Sequence, residues 1–361
     1  MSTEQRIGEL RVMIDAVDDE LLQLLNRRAA LTMEVGEVKR GSGTATEFYR
    51  PEREARILRR LLESNPGPLP DEDLVRVMRE IISTCLSLEH ALRVAYLGPE
   101  GTYTHAAVMK HFGGAIEPVA STSVGEVFRE VEARACDYGV VPIENSVGGS
   151  INQTLDCLAE SGLRICAEVV LAVHHQLLSN ASTFDEVQRV YAHEQALAQC
   201  RGWLDRHLPA AERIAFSSNA AAAQRARAEA GSAAIASVDA GRRYGLTALA
   251  SNIEDFPHNT TRFAVLGRAI PRDSGDDVTT VMFGLPNKAG ALHAILSVLA
   301  ERGISMTRIE SRPARNGVWD YLFFVDLLGH SDDPVVAAAL AEIENRASLF
   351  KLLGSYPRAI L

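Results

Sequence analysis

Basic charge is scarce in this chain: 37 Lys and Arg stand against 47 Asp and Glu in 361 residues, a formal charge of −10. Nucleic-acid binders carry a basic face, so that class is excluded, and any anionic ligand must be attracted locally. Long apolar runs are missing as well. None approaches the ~20 residues that a bilayer-spanning helix needs, and the opening MSTEQRIGELR has no signal-peptide apolar core. Neither membrane insertion nor export is expected. Cysteines are few and odd in number (Cys85, Cys136, Cys157, Cys166 and Cys200) and show no CxxC spacing. The expectation is a cytoplasmic protein with reduced thiols and no metal site. What remains, 47% hydrophobic and 23% charged residues, is an ordinary globular composition, and the length implies two or three domains.

Three stretches have different patterns. From Ile7 the apolar positions Leu10, Ile14, Val17, Leu21, Leu24, Leu31, Val35 and Val38 alternate steps of three and four, the pattern of a long coiled-coil-type helix. A Gly-Ser-Gly break at 41 to 43 ends it, and further helices are expected at about 51 to 64 and 71 to 92. Three helices of such unequal length cannot enclose the long one, which implies a partner chain. From Val94 short β-rich runs (VAYLG, DYGVVPI, EVVLAVHHQLL, RVYAH, SAAIAS, RFAVLG) alternate with helices, predicting two α/β lobes with mostly parallel sheets and a ligand between them at strand C-terminal ends. After the linker PRDSGDD the order is β-α-β-β-α-β, the ferredoxin-like arrangement. The expected domains are therefore 1–92, 93–270 and 277–361.

In the helical stretch Arg28 interrupts the apolar seam. Burying an unpaired guanidinium costs several kcal/mol, so it faces either a side chain such as Glu34 or Asp18, or a bound anion. Arg11 and Lys39 lie on the same face four heptads apart, roughly 42 Å along one helix. They can meet over one ligand only if two long helices pair antiparallel. With that geometry the stretch resembles the all-helical chorismate mutase family, whose intertwined dimers build cationic pockets between subunits. The resemblance implies that Arg11 and Arg28 hold two carboxylates and that Lys39 and Glu89 address the ether oxygen whose bond breaks, Glu89 in its protonated form. It also implies that Arg53 and Glu54 contact carboxylate and hydroxyl. Arg50 departs from the pattern, where several relatives carry Asp.

In the middle stretch YLGPEGTYTH, VPIENSVGGSINQTLD, AHEQALAQC and HNTTRF together resemble prephenate dehydratase, over about 175 residues and in the same order. The resemblance implies that Thr261 assists departure of the ring hydroxyl, with Thr102, Glu144, Asn145, Ser146 and Gln195 as polar groups of the cleft. Arg262 either recognises a substrate carboxylate or holds its loop, since side chains alternate along a strand and only one of the pair need face the cleft. His174 and His175, expected in a strand, would point apart, which argues against a shared metal.

GALHAIL and ESRP resemble the two regulatory motifs of ACT domains, implying a phenylalanine site at Ala289, Gly290, Ala291, Leu292, Glu310, Ser311, Arg312 and Pro313, bound across a dimer. The expectation is a bifunctional chorismate mutase and prephenate dehydratase of all-α, two-lobed α/β (periplasmic-binding-protein-like) and ferredoxin-like α+β parts. It would act on chorismate and prephenate and respond to phenylalanine, as a homodimer or a tetramer, without metal or organic cofactor. Two rivals stand beside it: a pure amino-acid sensor, and a dehydratase whose helical stretch serves only dimerisation.

Overall fold

The computed structural model describes residues 2–41, 48–313 and 321–360. Three helices come first: α1 (Thr3–Gly41), α2 (Pro51–Glu63) and α3 (Asp71–Ser87). The expected break after Gly41 falls at positions outside the described residues. The third helix stops short of Leu92 because Leu92 is buried in the core of the next unit. Along α1 only Gly36 is buried. Leu10, Ile14, Val17, Leu21 and Leu24, the expected seam, are 42–60% exposed in the single chain.

The middle unit is two mixed sheets. The first carries β1 (Arg93–Leu97), α4 (Tyr103–Phe112), β2 (Glu117–Ser121), α5 (Val124–Glu132), β3 (Tyr138–Asn145), β4 (Gly149–Ser150), α6 (Asn152–Glu160) and β5 (Arg164–Ala172). The chain then crosses to the second lobe: β6 (Gln176–Ser179), β7 (Arg189–His193), α7 (Glu194–Gln199), α8 (Arg201–His207), β8 (Glu212–Phe216), α9 (Asn219–Ala228), β9 (Ser232–Ala236), α10 (Val238–Tyr244) and β10 (Thr247–Ala250). It returns through β11 (Thr260–Gly267), giving the orders β2-β1-β3-β11-β5 and β10-β6-β9-β7-β8.

The sheets are less parallel than the sequence pattern implied. In each lobe four strands run the same way (β2, β1, β3, β5; β8, β7, β9, β10), while β11 and β6 run against their neighbours. The reason is the crossing. A strand that enters from the other lobe begins at the cleft, where the parallel strands end, so it must run the opposite way. The apolar run at 168–178, expected as one strand, is split for the same cause: β5 and β6 belong to different lobes, and His174 and His175 lie between them rather than in a strand. The two crossing segments are joined by the Val173 N–H donating to the Asn259 carbonyl at 2.8 Å.

The last unit is β12 (Asp277–Leu285), α11 (Ala291–Glu301), β13 (Met306–Pro313), β14 (Tyr321–Leu328), α12 (Pro334–Arg346) and β15 (Leu349–Pro357), an antiparallel sheet in the order β13-β14-β12-β15. One face packs on α11 and α12. The other does not face solvent: Val278, Met282, Phe324, Leu353 and Tyr356 share a single core with Phe128, Ile143, Leu155, Ile165 and Leu266 of the first lobe. The linker separates these units in sequence but not in packing. Among the described residues no helix is long and apolar enough to cross a membrane.

Candidate active sites

Between the lobes lies a cavity of about 600 Å³, formed where β1, β3, β7, β8 and β9 end and β11 begins. Helix starts surround it, three of them with a Ser or Thr N-cap: Thr102 accepts from the His105 N–H, Ser218 from Ala221 and Ser237 from Ala240, at 3.0–3.3 Å, while His193 caps α7. Among the described residues lining it there is no Lys, Arg, Asp or Glu. An anion here meets hydroxyls, amides and the partial positive charge of helix starts.

Asn145 organises one wall. Its Oδ1 accepts from the Val147 and Gly148 N–H groups at 3.1 and 2.8 Å, which fixes the orientation of the amide because those groups can only donate. Its Nδ2 is thereby turned to Thr261 Oγ1 and Asn259 Oδ1, both at 2.8 Å. Thr261, which lines the cavity, thus accepts from Asn145 and keeps its own proton for another acceptor. The network continues from Asn259 Nδ2 to Gln199 Oε1 (3.1 Å), which also accepts from His175 Nε2 (2.9 Å). His175 Nδ1 lies 3.3 Å from the Tyr103 hydroxyl, which donates to the His174 carbonyl at 2.6 Å. Burial holds the imidazole below its ordinary pKa and pushes the Tyr103 phenol up, so both stay neutral. His174 instead reaches Glu254 at 2.8 Å.

Of the residues singled out in this unit, Thr102, Asn145, Gln195 and Thr261 line the cavity together. Gln195 Nε2 donates to Asn145 Oδ1 at 3.3 Å. Glu144 and Arg262 do not join them. Both lie on the opposite face of β3 and β11, with Arg262 Nη2 2.5 Å from Asp326 and 3.3 Å from Glu144, and Nη1 3.3 Å from Glu168. Ser146 also stays outside the cavity, accepting from the Thr260 N–H at 2.9 Å and so tying its loop to the start of β11. Sequence reasoning missed Tyr103, Gln199, Ser218, Ser237 and Asn259. The Ser-x-x cap pattern was a signal for the two serines; Tyr103, Gln199 and Asn259 lie within the stretches YLGPEGTYTH, AHEQALAQC and HNTTRF, where the expectation fell on their neighbours instead.

A second cavity, about 310 Å³, is walled by α1, α2 and α3 and gathers Arg28, Lys39, Arg50, Arg53, Glu54 and Glu89. Lys39 Nζ lies 3.7 Å from Glu89 Oε2, and the Glu89 side chain is 3% exposed. Glu89 can come so close to α1 because position 36 is glycine; a Cβ there would stand 2.9 Å from Glu89 Cγ. Arg28 Nη1 is 3.5 Å from the Ile81 carbonyl, not beside Glu34 or Asp18. Glu54 is buried against Arg79 Nε at 3.5 Å, and burial pushes its carboxyl up to about 7. Arg79 was not foreseen; its sequence neighbours give it no special pattern. Arg11 is absent from this cavity and exposed, seventeen residues before Arg28 on α1, roughly 25 Å along the axis.

In the last unit Gly290 (φ +81°) caps α11 without a side-chain bond, and Ala289 and Gly290 are exposed, with Ala291 and Leu292 partly so. Glu310 and Arg312 turn away from that space: Glu310 accepts from Ser150 Oγ at 3.0 Å, and Arg312 pairs with Asp156 and donates to the Asn152 carbonyl at 2.8 Å. The alternate residues Ser311 and Pro313 are exposed. Strand alternation divides the motif between two faces.

Family models match in chain order: chorismate mutase type II at 10–90, prephenate dehydratase at 94–271 and the ACT domain at 279–345. The chain is 48% identical to a bifunctional chorismate mutase/prephenate dehydratase of Stutzerimonas stutzeri, with 100% of both chains covered, and 47% identical to one of Pseudomonas aeruginosa with the same coverage. Among solved structures, a prephenate dehydratase from Arthrobacter aurescens in complex with L-Phe matches with a TM-score of 0.69 and 38% identity, over 74% of this chain and 90% of that one. A helical unit with a cationic pocket, a two-lobed cleft built on Asn145 and Thr261, and a ferredoxin-like sheet packed behind it thus coincide with three family matches in the same order. The chain belongs to the bifunctional chorismate mutase/prephenate dehydratase family.

Proposed function

We propose that the protein converts chorismate to prephenate in the helical pocket and prephenate to phenylpyruvate in the two-lobed cleft, under feedback by phenylalanine, as a cytoplasmic homodimer. The observation that carries the reading is the Asn145–Thr261 pair: an amide oriented so that the threonine accepts from it and keeps its own proton for a ligand, in a cleft with no Lys, Arg, Asp or Glu among the described residues lining it.

The first step is a pericyclic rearrangement, so it needs no nucleophile. It needs a flexible dianion held in its reactive fold and negative charge stabilised on the ether oxygen. Arg28, Arg50 and Arg53 supply forks for carboxylates, and the adjacent Lys39 and Glu89 supply donors for the oxygen. Arg11 serves the pocket of a partner chain. The exposed seam from Leu10 to Leu24 supports that pairing, because each such side chain contributes about 1.5–3 kcal/mol when fully buried.

In the second step the bond between ring and carboxylate breaks, its electron pair enters the ring, and the ring hydroxyl leaves as water after taking a proton. Carbon dioxide and an aromatic ring result. Thr261, held by Asn145, donates to the departing oxygen, and the starts of α4 and α9, with Thr102 and Ser218, receive the carboxylates. An uncharged cleft suits this chemistry: a carboxylate that must leave as neutral carbon dioxide is not held by a guanidinium.

Phenylalanine binds where α11 starts, beside Ala289–Leu292 and the exposed Ser311 and Pro313; the L-Phe complex of the Arthrobacter aurescens protein supports phenylalanine as the ligand. Glu310 and Arg312 act behind the strand, linking it to β4 and α6. The test is a paired assay of chorismate loss and phenylpyruvate formation with and without phenylalanine. Both activities, with the second suppressed by phenylalanine, are expected. No phenylpyruvate from supplied prephenate would overturn the cleft reading, and indifference to phenylalanine the feedback.

A further inference from the structure

Neighbouring residues of one strand pair address two different domains. On β3 and β11, Asn145 and Thr261 face the cleft, while Glu144 and Arg262 face the sheet of the last unit. Arg262 reaches Asp326 on β14 at 2.5 Å, Glu168 on β5 at 3.3 Å and Glu144 at 3.3 Å, and Glu144 also meets Arg308 on β13 at 3.3 Å. Asp326 is 0% exposed, and its second oxygen accepts from Thr280 Oγ1 on β12 at 2.8 Å.

A buried carboxylate without a partner costs several kcal/mol. Asp326 is immobilised by its own sheet, so it decides where the Arg262 guanidinium sits. Arg262 and Thr261 share a peptide plane in a pleated strand, so a shift of one side chain's anchor tilts the other. We propose that Asp326, which lies in the last domain and touches no substrate, is a positioning residue for the dehydratase reaction: through Arg262 it holds β11 in the pose that presents Thr261 to the cleft. Arg262 is then a strut and not a carboxylate ligand.

This rests on the reading of Thr261 as the cleft donor, and the test separates the two. Prephenate turnover is measured in the full-length chain for Asp326→Asn, Arg262→Gln, Arg262→Lys and the Asp326→Asn/Arg262→Gln double variant, with Thr261→Ala as control and thermal melts on each. A misplaced donor lowers kcat, so Asp326→Asn and Arg262→Gln are each expected to lose about 10-fold or more in kcat with KM little changed. The double variant should be no worse than Arg262→Gln alone, and Arg262→Lys should recover part of the loss. Thr280→Val loosens Asp326 without leaving a buried charge unpaired, and gives a smaller kcat loss in a chain that folds if Asp326→Asn does not. Unchanged kcat in Asp326→Asn or Thr280→Val, additive losses in the double variant, or a KM increase with preserved kcat in Arg262→Gln would overturn the proposal. Unimpaired turnover in Thr261→Ala would instead overturn the reading of the site beneath it.

Discussion

Asn145 and Thr261 are direct cross-strand partners on β3 and β11, and the amide nitrogen of Asn145 donates to the Thr261 hydroxyl at 2.8 Å. Because Asn145 Oδ1 is occupied by the Val147 and Gly148 N–H groups, the direction of that bond is set by the backbone. A change of one atom reverses it.

Asn145→Asp supplies only acceptors, so Thr261 would donate to it and withdraw its proton from the cleft. Dehydratase kcat is expected to fall by ~10²-fold or more, as for Thr261→Ala, and the double variant to be no worse than either single one. Chorismate turnover in the same preparations should be unchanged. Retained kcat in Asn145→Asp would remove the donor role from Thr261.

Two dead mutases should revive each other. In an antiparallel pair each pocket takes Arg11 from one chain and Arg28 and Lys39 from the other, so an Arg11→Ala chain paired with an Arg28→Ala chain leaves one pocket whole. Chorismate turnover after unfolding and refolding an equimolar mixture is expected to reach roughly a quarter of the parent value for random pairing in a two-fold dimer. No recovery, with mixed dimers present by native mass spectrometry, would show that the pocket does not span chains.

Gly36→Ala tests the approach of Glu89 to α1. The added methyl would sit 2.9 Å from Glu89 Cγ, forcing the carboxyl to move. The helix itself should gain about 0.5–1 kcal/mol, since alanine is the better helix former. A protein that melts no lower but turns over chorismate about 10-fold more slowly is the expected result. Full turnover would show that the position of Glu89 is not limiting.

Glu54 gives a pH signature. Burial raises its carboxyl from 4.5 to about 7. A carboxyl raised on folding adds stability that is fully present below about pH 4.5 and is lost as the pH rises through about 7. Glu54→Gln cannot ionise, so it should melt several degrees above the parent at pH 8 and level with it at pH 4.5. Equal melting at pH 8, followed by circular dichroism, would show that the ion pair with Arg79 outweighs the burial cost.

The three-part fold class was legible because each part has its own period: three-and-four spacing from Ile7 to Val38, strand and helix runs alternating from Val94, and the β-α-β-β-α-β order after the linker. Ser and Thr caps at 102, 218 and 237 mark helix starts around the cleft for the same local reason, a side-chain oxygen serving a free N–H. Polar stretches such as IENS and TTRF at strand ends likewise pointed to the cleft.

Which member of each polar pair faces a site and which faces a packing partner was not legible. A period of two says that Thr261 and Arg262 part ways, as do Asn145 with Glu144 and Ser311 with Arg312, but the two faces are equivalent until something packs on one of them. What packs there is distant in sequence: Asp326 draws Arg262, Arg308 draws Glu144, and Asp156 draws Arg312. The same holds for the apolar run at 168–178, whose division into β5 and β6 depends on two lobes competing for its halves. Local sequence determined the elements, their caps and the polar residues at their ends, because those depend on neighbours within one turn or one strand. Tertiary packing alone decided the face and the partner, because a buried charge goes where its counter-charge lies, and that place is set by the whole fold.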